Sequence, residues 1–208
     1  MLIKRRWKKY QAFLAEKGTH NLKLAEDILA LIDKYPEETF NKYPRDLLRI
    51  GLFIGKVLSD QYYFQHNAKN CVRIAEKARR MAEALERSLD ELILIERITF
   101  FAGIVGMDDD SFREITQRAE ELAQQIIRST PGYADEARYH YCFIASYFSR
   151  RVRDLKFIEN VENMYARQIS NSVLRYKALH TLLGAKADLL LSWGLLNDAI
   201  NAIEERKR

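Results

Sequence analysis

Turn-forming residues are scarce in this chain: 8 glycines and 3 prolines among 208 residues. A β-sandwich or barrel needs many tight turns, and so few punctuators argue against one. Strand-like alternation is nearly missing as well. Cysteine occurs only at positions 71 and 142, too few for a disulfide framework and suited to a reducing, cytoplasmic compartment. No run approaches the roughly 18 apolar residues of a membrane-spanning helix. The charged stretch from Met1 to Lys9 is not followed by an apolar core, so no signal peptide is expected. Hydrophobic residues nevertheless make up 48% and charged residues 30%, enough to bury a core and too apolar for a disordered chain.

The net charge of +5 is local. Lys4, Arg5, Arg6, Lys8 and Lys9 are five basic residues without an acid among them, and the remaining 29 basic residues balance 29 acidic ones. A nucleic-acid binder carries its basic excess on the folded body. Nucleic acid is therefore not the expected partner, except through this N-terminal segment. The plain reading of that segment is a solvated helix start. Trp7 and Tyr10 beside it leave open an interfacial helix on an anionic surface.

Apolar residues recur at intervals of three and four almost throughout. Leu22, Ala25, Ile28, Leu29 and Ile32 form one stripe. Phe112, Ile115, Ala119, Leu122 and Ile126 form a second, and Leu155, Ile158, Val161 and Tyr165 a third. These are amphipathic helices with one buried side. The breaks between them are equally readable. Gly18 to Asn21, Pro36, Pro44 and the Thr130-Pro131-Gly132 triplet punctuate the chain. Ser88 with Glu91, and Ser111 with Glu114, have capping-box spacing. Asp108 to Asp110 favour the positive end of the helix they precede. The pattern predicts helices over 3–17, 21–34, 45–64, 67–86, 90–106, 110–129, 133–149, 154–169, 172–192 and 195–206. Gly51, Gly55, Gly103 and Gly106 then fall inside helices, as points of close packing.

Helix-to-helix corners recur roughly every 40 to 47 residues, at Gly18, His66, Asp108, Val152 and Gly194. That period suits stacked helical hairpins, none of which buries its apolar face alone. The stretch from Ala185 to Ile203 resembles a tetratricopeptide repeat. Ala187 takes the small position of the first helix, Gly194 the turn and Ala199 the small position of the second. The opening hairpin is similar at Ala25, with Tyr35-Pro36 closing it; Ala145, Phe148 and Gly103 fit the first-helix spacing elsewhere. The observed period is longer than the family's, which is about 34 residues, as in a divergent relative. The resemblance implies an all-α fold, a right-handed α-solenoid of about five antiparallel hairpins forming one domain over 1–208. The hairpins would span 3–34, 45–86, 90–129, 133–169 and 172–206.

No catalytic or metal-binding constellation emerges. His20, His66, His140 and His180 are dispersed, and no His-Glu-x-x-His, Cys-x-x-Cys or glycine-rich phosphate loop occurs. Cys142 lies in an aromatic run typical of a packed helix rather than an activated thiol. The chain is accordingly not expected to be an enzyme or to need a cofactor. Aromatic residues concentrate in the first helices of hairpins, mostly as filling between neighbours. First helices line the concave face of such solenoids, and Arg49 and Lys56, seven apart, share one face. By repeat position Arg97, Tyr139 and Asp188 extend it. Only Lys56 has an acid four residues on, Asp60, so Arg49 and Arg97 read as unpaired cations. Such a groove suits an acidic or extended peptide of a partner protein. The alternative is a regulatory or sensor repeat domain of a larger, transcriptional assembly, although no helix-turn-helix signal favours direct DNA contact.

Overall fold

A computed structural model describes residues 2–34 and 44–205. Tyr35-Pro36 and the basic triplet Arg206 to Arg208 lie outside the described residues. Among those described, the chain forms ten α-helices and no strand. They are α1 (Leu2–Lys17), α2 (Leu22–Ile32), α3 (Arg45–Phe64), α4 (Ala68–Ala84) and α5 (Ser88–Phe101), followed by α6 (Asp109–Ser129), α7 (Ala134–Val152), α8 (Leu155–Met164), α9 (Ser172–Ser192) and α10 (Leu196–Glu205). No described helix is long and apolar enough to cross a membrane.

Five of the helices begin where a short polar side chain supplies an acceptor for the free first-turn amides. Asn21, Asn67, Asp108, Asp154 and Asn171 each accept a hydrogen bond from an amide two or three residues on, the usual N-cap device. Two of the expected caps are displaced. Ser111 is not a cap; its amide and hydroxyl donate to Asp108, at 2.8 and 2.7 Å, because Asp108 reaches the first free amides before Ser111 does. Those bonds hold the Asp108 carboxyl below the usual carboxylate range. Ser88 is likewise inside α5, which starts from Arg87 without a side-chain cap.

Five helices close on a left-handed residue, Gly18, His66, Glu86, Arg153 or Gly194, and Gly106 adopts the same conformation beyond the end of α5; all six have φ between 53° and 77°. At four of these ends the next amide reaches back five residues: Asn67 to the Tyr62 carbonyl, Arg87 to Ala82, Asp154 to Ser149 and Leu195 to Leu190. This is the Schellman closure, which glycine adopts without strain. Three of the six sites lack glycine. We expect His66→Gly, Glu86→Gly and Arg153→Gly each to raise stability by up to about 1 kcal/mol, and Gly194→Ala to lower it comparably, as read from urea denaturation. Gly103 and Gly106 are not packing points. The helix α5 stops at Phe101, Gly106 takes the left-handed turn, and a Cβ at either glycine would meet nothing within 4 Å. The segment expected as one helix over 154–169 is α8 followed by a 3-10 turn at Ala166–Gln168.

The chain divides into two compact units, Met1–Val105 and Gly106–Arg208. The boundary falls between α5 and α6, inside the hairpin anticipated over 90–129. Within the first unit each helix packs on its sequence neighbour, and α3 also packs on α1 and α5. Leu48, Ile54 and Leu58 of α3, Ile74, Ala75 and Met81 of α4, and Leu92, Ile95 and Ile98 of α5 are buried. In the second unit α7 packs on α6, α8 and α9, and α9 on α10. Ala187, Leu190, Ala199 and Ala202 make the small α9–α10 core, with Leu155 against it. The four alanines expected at helix contacts, 25, 145, 187 and 199, are all buried. Asp135 ties the second unit's turn before α9 to α7, accepting from the Ser170 and Asn171 amides at 3.0 and 2.8 Å. Burial pushes its carboxyl upward, but these amides and Arg138 hold it below its ordinary range.

Candidate functional site

The first unit carries a groove built on α1 and α3. Its floor starts from an aromatic cluster. Trp7 stacks on Tyr10 with centroids 5.5 Å apart and meets the edge of Phe53 at 5.4 Å. Tyr10 is fully buried and hydrogen-bonded to His20 Nδ1 at 2.6 Å, and burial raises its phenol further above neutral pH. This anchors the inner side of α1. Outside the cluster lies a cavity of about 770 Å³, walled by Leu14, Ile50, Trp7 and Phe53 and rimmed by Lys4, Lys8 and Arg49. A second recess of about 480 Å³ shares Arg49 and Phe53 and runs toward the α4–α5 turn, past Leu52, Lys56, Leu85, Arg87 and Asp90.

Together the two recesses expose six cations, Lys4, Lys8, Arg45, Arg49, Lys56 and Arg87, to three carboxylates. Each carboxylate is already engaged. Asp46 faces Lys4 at 3.6 Å, Glu86 faces Arg45 at 3.7 Å, and Asp90 is shared by Lys56 and Arg87. Among the described residues Lys8 and Arg49 have no ion pair. Among the described residues the groove therefore combines an apolar wall with an excess of positive charge.

The expected site residues divide between the units. Arg49 and Lys56 come together along this groove, one exposed and the other half-buried. Lys56 is paired across the helices with Asp90 rather than along its own helix with Asp60. Arg97 is not an unpaired cation. It binds Asp60 at 3.0 Å and Glu96 at 2.9 Å, and lies 4.3 Å over the Tyr63 ring. The i+4 position of its own helix offers only Phe101; packing of α3 on α5 supplies the missing acid. Tyr139 and Asp188 belong to the second unit. Tyr139 packs against Phe143 at 5.1 Å, and Asp188 accepts from Arg150 Nε at 2.8 Å. Leu14 and Phe53 are not among the expected site residues, and Lys8 is expected only as part of the basic N-terminal segment. Phe53 stands four residues after Arg49, on the same helical face, a spacing that marks Arg49 as lacking a local acid and also sets an aromatic ring beside it.

Both cysteines are buried. Cys71 donates to the Ser59 carbonyl at 3.4 Å, and burial pushes its thiol up to about 12. Cys142 is shifted the same way by the same cause. Neither is poised as a thiolate near neutral pH.

No protein-family model matches the chain, and no curated protein matches it.

Proposed function

We propose that this chain is a divergent tetratricopeptide-like interaction module that acts by holding a segment of a partner protein, without chemistry of its own. The binding surface is the groove of the first unit, formed by α1 and α3 and continued by the start of α5. One observation carries the reading: an apolar, aromatic-walled groove whose cations outnumber the carboxylates beside them among the described residues. Supporting it, α3 packs on both α1 and α5, the next-but-one contact by which first helices of stacked hairpins line a common side. The basic N-terminal helix fits this reading better than a membrane-surface one. An interfacial helix needs a free apolar face, whereas Ile3 and Tyr10 are buried and Trp7 is stacked.

Selection of a displayed random-peptide library tests it. Binders are selected on the parent protein and then rescreened on Phe53→Glu, a substitution at an exposed position whose helical content is checked by circular dichroism. We expect most binders to lose the variant and to keep a control changed at Tyr176 in the second unit. Binders indifferent to Phe53→Glu would place recognition elsewhere, and the basic segment before Trp7 would be the next to alter.

A further inference from the structure

We infer that the segment this groove takes is acidic, with one bulky apolar side chain set between carboxylates. The inference rests on the reading of the groove as a peptide site and adds the chemistry of its ligand. The apolar residues Trp7, Leu14, Ile50 and Phe53 line one well together with Lys4, Lys8 and Arg49, so an apolar anchor seated there has cations beside it on both α1 and α3. Burying such a side chain supplies most of the gain, since bulky apolar groups filling desolvated pockets dominate peptide recognition. Lys8 on α1 and Arg49 on α3 stand on the rim of that well. Both lack an ion pair among the described residues, while each described acid along the groove, Asp46, Glu86 and Asp90, is already held by a cation.

Position then decides what the two cations do. A basic or neutral segment entering the well leaves Lys8 and Arg49 closer to an apolar surface and partly desolvated without compensation, an unfavourable outcome. Carboxylates on either side of the anchor remove that penalty and add charge-assisted hydrogen bonds, which Arg49 can make in bidentate form. Complementary charge also speeds encounter and selects against wrong partners. Lipid headgroups and single-stranded nucleic acid are anionic too, but the observations favour them less. The inner face of α1 is spent on the core, and the two aromatic rings of the wall, Trp7 and Phe53, meet edge-on beside the aliphatic Leu14 and Ile50, not as the succession of open aromatic faces on which bases stack.

The composition of peptides selected on the groove tests this directly. Binders that depend on Phe53 are expected to share an aromatic or large aliphatic residue with Asp or Glu on both sides. Their affinity is measured through Trp7 fluorescence in a Trp193→Phe background. It should fall at least tenfold when the carboxylates are replaced by amides, and should weaken steadily as salt rises. The double variant Lys8→Glu with Arg49→Glu should lose these peptides and gain versions in which the acids are replaced by lysines. Groove-dependent binders that are neutral or basic would overturn the inference and leave the peptide-site reading intact. An absence of any groove-dependent binder would remove the reading itself. Phosphatidylserine vesicles and oligothymidylate complete the comparison. Tighter binding of either one through Lys8 and Arg49 than of any selected peptide would likewise overturn the inference.

Discussion

Gly55→Val is expected to cost the first unit about 3 kcal/mol. A Cβ at Gly55 would stand 2.7 Å from the Ala78 Cβ and 3.6 Å from the Ala78 Cα. Neither obstacle can rotate away, because both are fixed to the backbone of α4. The α3–α4 contact must open, and it joins the two halves of the unit's core. Gly51, one turn earlier, provides the contrast. Its added Cβ would meet the Met81 sulfur at 2.5 Å and the Ile32 Cδ1 at 3.1 Å, both ends of side chains. Met81 can shift, and replacing glycine by alanine inside a helix returns about 1 kcal/mol through backbone entropy. Gly51→Ala should therefore be close to neutral, Gly55→Ala clearly destabilising, and Gly103→Val, which meets open space, without penalty. Adding Ala78→Gly to Gly55→Ala should restore much of the loss. Denaturant curves followed by circular dichroism decide the order; equal effects at positions 55 and 103 would remove the close-packing explanation.

Helix positions were legible because two local signals coincide. Apolar stripes such as Phe112 to Ile126 are buried at every member, and Asn or Asp caps the start of five of the ten described helices. Both signals act within a turn or two of chain, the range a sequence displays directly. Where two capping groups compete, as Asp108 and Ser111 do, spacing alone does not say which reaches the free amides. The end of α5 was hidden for a related reason. Phe100, Phe101 and Ala102 continue the apolar pattern, and only the left-handed turn at Gly106 reveals that the helix has already closed.

The groove was half legible. The shared face of Arg49 and Lys56 follows from helical period, and Arg49 does stand on the groove without an ion pair among the described residues. Charge balance did not follow, because it is settled between helices. Asp90 lies 34 residues from Lys56 and Asp60 lies 37 from Arg97. Along a single helix Lys56 and Asp60 look like partners, yet each finds a closer one across the α3–α5 contact. Packing of α1 on α3 likewise brings Trp7 and Phe53 together from helices that the sequence separates by a corner and a full hairpin arm.

Arg79→Met should also cost about 3 kcal/mol, through a buried charge rather than a clash. Arg79 is 9% exposed on α4 and faces Glu91 of α5, which is 1% exposed, with Nη1 and Oε1 3.6 Å apart. It also reaches Glu76 at 3.1 Å and Glu83 at 3.9 Å. Methionine keeps much of the side-chain volume, so the packing loss is small. What disappears is the guanidinium opposite a carboxylate that water does not reach. Breaking a buried pair from one side is costly for this reason, whereas replacing both partners by apolar groups of similar size is often neutral. Two comparisons separate this from a loss of surface charge. Arg80→Met removes the exposed neighbour, whose pair with Glu83 spans 3.6 Å between half-exposed side chains; such pairs contribute roughly 0–1 kcal/mol. Adding Glu91→Leu to Arg79→Met should recover most of the loss, while Glu91→Leu alone should be the milder single change, because Arg79 keeps Glu76 and Glu83. Urea unfolding of the four variants gives the ranking. If Arg79→Met proves no worse than Arg80→Met, the buried pair contributes nothing to holding α4 against α5.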